Sequence, residues 1–149
     1  MAIELNHTIV PARDPKASAQ FLAGILGLQV SAPVSHFTPV LLDNHVTLDY
    51  DHADEVVHHH YAFALSDTEF EAAFGRIRDA GITYYADPAC RREGEVYTGT
   101  DGTRGIYFRD PNGYVIELTA KTAQHGAYMD PGQNRARDKL AAWQKSKPH

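Results

Sequence analysis

Cysteine is almost missing from this chain: Cys90 is alone among 149 residues, so no internal disulfide can form. A single thiol fits a reducing compartment, and the cytoplasm is the expected location. Its surroundings, DPACRREG, supply no base to activate a nucleophile, so Cys90 is assigned no chemistry. Positive charge is also scarce. Fourteen Lys and Arg against nineteen Asp and Glu leave a formal net charge of -5 with no basic block, which argues against nucleic-acid binding. No apolar run has the length that crosses a bilayer, and the opening residues MAIELNHT lack the charged-then-apolar pattern of a secretion signal. What is present is 43% apolar content, enough for one domain with a real core or for two small modules sharing one.

The apolar residues fall into a repeating order. Residues 2 to 10, AIELNHTIV, read as a strand; PARDP turns the chain; KASAQFLAGILGL then carries Phe21, Leu22, Ile25 and Leu28 near helical spacing, with Gly27 placed to cap the end. FTPVLLD and HVTLDY are two short strands about the turn-like Asp43-Asn44. The order then recurs: HYAFAL as a strand, SDTEFEAAFGRIRDAG as a helix started by Ser66 or Asp67 and ended by Gly81, and ITYYAD as a strand. RGIYFRD and YVIELT follow, joined by the hairpin signal PNG, to which no chemistry is assigned. Beyond Thr119, the pair Asp130-Pro131 and the spacing of Ala136, Leu140 and Trp143 predict a C-terminal helix.

Three consecutive histidines, His58, His59 and His60, open the second half. At an offset of 53 residues His60 falls on His7, Asp67 on Asp14, Ala72 on Ala19 and Phe74 on Phe21. Such identities are modest alone, but their agreement with the repeated strand-turn-helix order indicates an internal duplication. The repeat singles out His60, leaving His58 to solvent and His59 a supporting place beside it. Pairing of the two leading strands would turn His7 and His60 into one cavity. A divalent cation there also needs a carboxylate. In YVIELT, Ile116 and Leu118 share one face, so Glu117 points the other way, and a lone carboxylate in an apolar strand is costly to bury unless paired or ligated. His45 and Thr47 share a face of HVTLDY and are further candidates to line the cavity.

The strings LNHTIVPARDPKASAQFLAGILGL, HHYAFALSDTEFEAAFGRIRDAGI and YFRDPNGYVIELT resemble the three signature regions of the vicinal oxygen chelate superfamily. That superfamily includes glyoxalase I, extradiol dioxygenases, fosfomycin-resistance transferases and bleomycin-binding proteins. The resemblance spans residues 3 to 119. It implies an α+β fold of two paired βαβββ modules, residues 1–55 and 56–120, forming a curled mixed sheet, or cup, with helices outside; a tail over 121–149 carries the C-terminal helix. It also implies a divalent metal in the cup at positions matching His7, His60 and Glu117. Two His and one carboxylate leave positions open for two neighbouring substrate oxygens and favour Fe2+, with Mn2+, Zn2+ or Ni2+ compatible.

Within the superfamily, HHHYAFA and IYFRDPNGYVIE are most similar to the extradiol dioxygenases, where Tyr107 matches the tyrosine that contacts the substrate oxygen. The histidine which that branch has several residues before the tyrosine is replaced here by Thr98, Gly99 and Thr100, and Thr47 stands about where glyoxalase I has a second glutamate. The cation loop and basic phosphonate-binding residues of the fosfomycin transferases are not evident, and Arg104 and Arg91 are the candidates for meeting an anionic substrate. The expected protein is a metal-dependent, dioxygenase-like enzyme acting on a small oxygenated molecule, and a homodimer. A glyoxalase-type lyase, a thiol transferase and a non-catalytic drug-binding module are the alternatives. Whether His7 joins His60 of its own chain or of a partner stays open.

Overall fold

A computed structural model describes residues 3 to 121 of the chain. The C-terminal helix expected around Trp143 lies outside the described residues.

Local chemistry sets both helices. The first strand, β1 (His7–Ala12), runs into α1 (Pro15–Leu26), where the Asp14 carboxylate accepts the Ala17 N–H at 3.1 Å and Pro15 takes the first turn. Gly27, at φ 72°, ends the helix in the left-handed conformation that a Cβ disfavours. The Arg76 guanidinium fills the space beside it and donates to the Ile25 carbonyl at 2.9 Å. The chain continues through β2 (Thr38–Leu41), β3 (Thr47–His52) and β4 (His60–Ser66) to α2 (Asp67–Asp79). At its start Ser66 and Glu69 satisfy each other's backbone N–H groups in a reciprocal capping box. Four strands complete the described chain: β5 (Tyr84–Tyr85), β6 (Tyr97–Thr98), β7 (Arg104–Arg109) and β8 (Val115–Lys121).

These strands form two mixed sheets. The first has the order β1-β3-β2, with β1 and β3 parallel; the second has β4-β8-β7-β5, with β4 and β8 parallel and β6 also paired to β7. Burial alternates along β1, β3 and β4, whereas residues 105–108 of β7 and 115–118 of β8 are buried throughout. Val10 and Ala12 of β1 are buried while His7 and Ile9 are exposed, so one face meets the core and the other lies open. Helix α1 contributes Leu22, Ala23 and Ile25, and α2 contributes Phe70, Phe74 and Ile77, to a single core that also holds Leu48, Phe108 and Leu118. α1 packs on α2, so the two halves join through their helix-covered faces.

The turn between β7 and β8 fastens that junction. Asn112 accepts the Arg13 N–H at 3.1 Å and donates to Ser18 Oγ at 3.0 Å, and the Tyr114 hydroxyl donates to the Pro11 carbonyl at 2.6 Å. Burial raises the Asp110 carboxyl above its ordinary range, although hydrogen bonds from Asn112, Tyr114 and Gly113 oppose the shift. Asn112→Ala takes a partner from the part-buried Arg13 N–H and from the buried Ser18 hydroxyl at once. It is expected to cost about 2–4 kcal/mol, read as a lower urea midpoint at unchanged slope.

Candidate functional site

The open face of the second sheet collects the polar side chains. Register sets Ala62, Glu117 and Tyr107 in one row across β4, β8 and β7, and His60 lies on the same face of β4 two residues earlier. The Glu117 side chain is only 3% exposed, yet its Oε1 lies 3.3 Å from His60 Nε2. Its Oε2 accepts a hydrogen bond from the Tyr97 hydroxyl at 2.7 Å, and the Tyr107 hydroxyl also hydrogen-bonds this carboxylate. Burial first, then the charge of Glu117, push the Tyr107 phenol above its ordinary range, so it stays a hydroxyl donor. The His60 and Tyr107 rings stack at 6.0 Å, and Tyr97 lies 5.6 Å from Tyr107. Among the described residues His60, Tyr97 and Tyr107 converge on this buried carboxylate, which satisfies the requirement that a buried charge be paired.

The open face of the first sheet holds His7. It stands opposite Thr47, which is followed by Leu41 across β2. Together with Asn6, Val34, Phe37, Pro39 and Asp49 these residues line an open cleft of about 380 Å3. His7 Nδ1 hydrogen-bonds Asn6 Oδ1 at 2.7 Å, which orients the ring and leaves Nε2 as the ring nitrogen outside that bond.

His60, Tyr107 and Glu117 are therefore brought together, and His7 is not among them. Within the chain β1 and β4 lie in different sheets and do not pair, which bears on the question the sequence left open, whether His7 meets His60 of its own chain or of a partner. The reason is the helical junction: the halves share their covered faces, so their open faces are not turned toward each other. Among the described residues no three His, Cys, Asp or Glu side chains group closely enough to hold a metal.

Four supporting residues come out differently from one another. Thr47 lines the cleft beside His7. His45 sits in the turn before β3 at φ 68°, off the strand, so it does not share the face of Thr47. His59 points away from His60 and packs on Tyr114 at 5.2 Å and Tyr61 at 6.0 Å; it is not a support for His60. Burial, followed by Tyr114 and Asp110, pushes the Tyr61 phenol up to about 12. Arg104 lies on the face of β7 opposite Tyr107, its guanidinium 2.6 Å from Glu71 of α2 and over the Phe70 ring, so it does not meet a substrate on the open face.

Sequence reasoning missed Tyr97. Its signal was Gly105, a glycine inside the strand RGIYFR, of the kind that marks the close approach of another group. It also missed the contact of His36 Nδ1–H with Asp51 at 2.7 Å, made by a turn residue and a strand residue too far apart for any local pattern.

Two α+β parts, each a helix on a mixed sheet, and a histidine-glutamate-tyrosine cluster on one sheet fit the vicinal oxygen chelate class. Comparison with known proteins agrees: a family profile described as "Glyoxalase/Bleomycin resistance protein/Dioxygenase superfamily" matches residues 4–118. The chain belongs to that superfamily. It is similar to a protein named oxidase ChaP-H2, with 52% identity and a TM-score of 0.78 over 81% of this chain and 95% of that one. Oxidase ChaP-H1 follows at 49% identity and a TM-score of 0.77, covering 80% and 97%. The glutathione transferase FosA of Serratia marcescens is 30% identical over 125 residues, 79% of this chain and 81% of that protein. These relatives bear the names of enzymes.

Proposed function

We propose that this chain is a metal-dependent, dioxygenase-like oxidoreductase that takes a small organic substrate through two neighbouring oxygens. One observation carries the reading: a nearly fully buried Glu117 carboxylate faces an imidazole nitrogen at 3.3 Å on an open sheet face. The likeness to a protein named an oxidase, at 52% identity, supports the oxygen chemistry.

The donor set fits a divalent cation. Imidazole nitrogens with one carboxylate suit Fe2+ in our reading and accept Mn2+, Zn2+ or Ni2+. His60 and Glu117 are two of the ligands, and His7 of a second copy is the third. The open face of the first sheet favours such a dimer, since Val34 (64%), Ile9 (51%) and Leu41 (48%) are large apolar side chains left in water. β1 and β4 are both sheet edges, and pairing them between copies would join the two open faces into one cup. In this arrangement the modules divide near residue 55, and each cup draws on both chains.

The chemistry a divalent cation supplies in such a site is Lewis-acid polarisation of vicinal oxygens and, for Fe2+, access to dioxygen. The chain's own residues do the rest. Glu117 offsets the cation's charge, the Tyr107 hydroxyl exchanges its bond to Glu117 for one to a substrate oxygen once the carboxylate is engaged by the cation, and the apolar lining from Val34, Phe37 and Leu41 seats the body of the substrate and excludes water. The alternatives have weaker support. Arg104 is engaged by Glu71, and among the described residues the first-sheet cleft is lined by Asp49 and by no Lys or Arg, which disfavours a phosphonate substrate as in fosfomycin transfer. Thr47 in place of a glutamate disfavours a four-ligand isomerase. Retention of all three ligand-type residues disfavours a purely drug-binding module.

The test is direct. The full chain, loaded with Fe2+ without oxygen, is expected to take up metal stoichiometrically and then to consume dioxygen when a vicinal diphenol such as catechol is added. A chain with no stoichiometric affinity for any divalent cation overturns the reading.

A further inference from the structure

We infer that Tyr97 is a positioning residue for Glu117, deciding which of the two carboxylate oxygens faces the metal. The inference rests on the metal reading above and adds to it a residue outside the expected ligand set. Tyr97 belongs to β6, a strand of two residues whose partner on β7 is Gly105. A Cβ on Gly105 would run into the Tyr97 ring, so the ring can lie across β7 only because that position is glycine. From there its hydroxyl reaches Glu117 Oε2 at 2.7 Å, leaving Oε1 turned toward His60 Nε2 at 3.3 Å.

The two oxygens are thereby made unequal. A carboxylate held at neither oxygen can swing or grip a cation with both; the Tyr97 bond to Oε2 biases the group toward presenting the Oε1 that lies beside His60. Binding through one oxygen leaves a coordination position for the substrate, and the tie spares the side chain the entropy of being ordered when the cation arrives. Tyr107 also bonds this carboxylate, but from within a six-residue strand of the sheet; Tyr97 reaches it from a separate short strand and needs a tailored glycine to do so.

The test uses the full chain and Co2+ alone as probe, because its visible spectrum reports coordination. Tyr97→Phe keeps the ring over Gly105 and removes the hydroxyl. It is expected to weaken Co2+ binding by roughly 10–100-fold and to alter the ligand-field bands, while the melting temperature of the metal-free chain changes little. Gly105→Ala, which pushes the ring away with its hydroxyl intact, is expected to weaken Co2+ binding likewise; if that variant does not fold, Tyr97→Phe decides alone. Wild-type affinity and spectrum in Tyr97→Phe overturn the positioning role while the metal reading stands. A wild-type chain that binds neither Co2+ nor Fe2+ overturns both.

Discussion

Glu117→Gln is expected to abolish divalent-metal binding while leaving the fold intact. The amide matches the carboxylate in shape, so the side chain still fits between β7 and β4 and can still accept the Tyr97 hydroxyl with its oxygen. Its NH2 group then faces His60 Nε2, and a donor occupies the place where a cation needs an acceptor. The negative charge that offsets the cation is lost as well. Affinity should fall by more than the roughly 10–100-fold that an outer hydrogen-bond partner is worth, to below detection in a calorimetric titration. The metal-free variant should be no less stable than the wild type, since a carboxylate only 3% exposed is replaced by a neutral group with a smaller desolvation cost. Metal uptake at wild-type strength by a folded Glu117→Gln chain would remove Glu117 from the ligand set.

Mixing two dead variants is expected to restore activity. His7→Ala and His60→Ala should each lose metal binding alone, since each lacks an imidazole in every site of its own homodimer. In a mixed dimer the His60→Ala chain brings His7, and the His7→Ala chain brings His60 and Glu117. One of the two sites is then complete and the other lacks both histidines. Purified mixed dimers should therefore hold half the metal of the wild type and show half its activity, with unchanged affinity at the surviving site. The separation of β1 and β4 into different sheets of one chain is what calls for this outcome. If mixing restores nothing, the site is completed within one chain, which requires a rearrangement of the helical junction between the halves.

Much of the fold is legible in short stretches of sequence. Asp14 and Gly27 bracket α1, and Ser66 with Glu69 starts α2, because caps act over three or four residues and depend on nothing further away. Parity along a strand was equally readable. The rule that turns Glu117 away from Ile116 and Leu118 also turns His59 away from His60 and Arg104 away from Tyr107; applied throughout, it removes both from the site. The local signals stop at β6: a two-residue strand has no period to read, and Tyr97 reaches a residue 20 positions away.

The sequence by itself determined the duplicated strand-helix order, the helix ends and the candidacy of His7, His60 and Glu117, since each follows from spacing within a few residues or from the internal repeat. Only the tertiary structure decided which of them meet. His60 and Glu117 are 57 residues apart and touch because β4 and β8 pair in parallel register. His7 has the same local pattern as His60 and the same kind of strand, yet it faces a different cleft, because α1 packs on α2 and leaves β1 and β4 as separate edges. Pairing between distant strands is chosen by how whole faces bury against one another, and no single stretch of the chain carries that information.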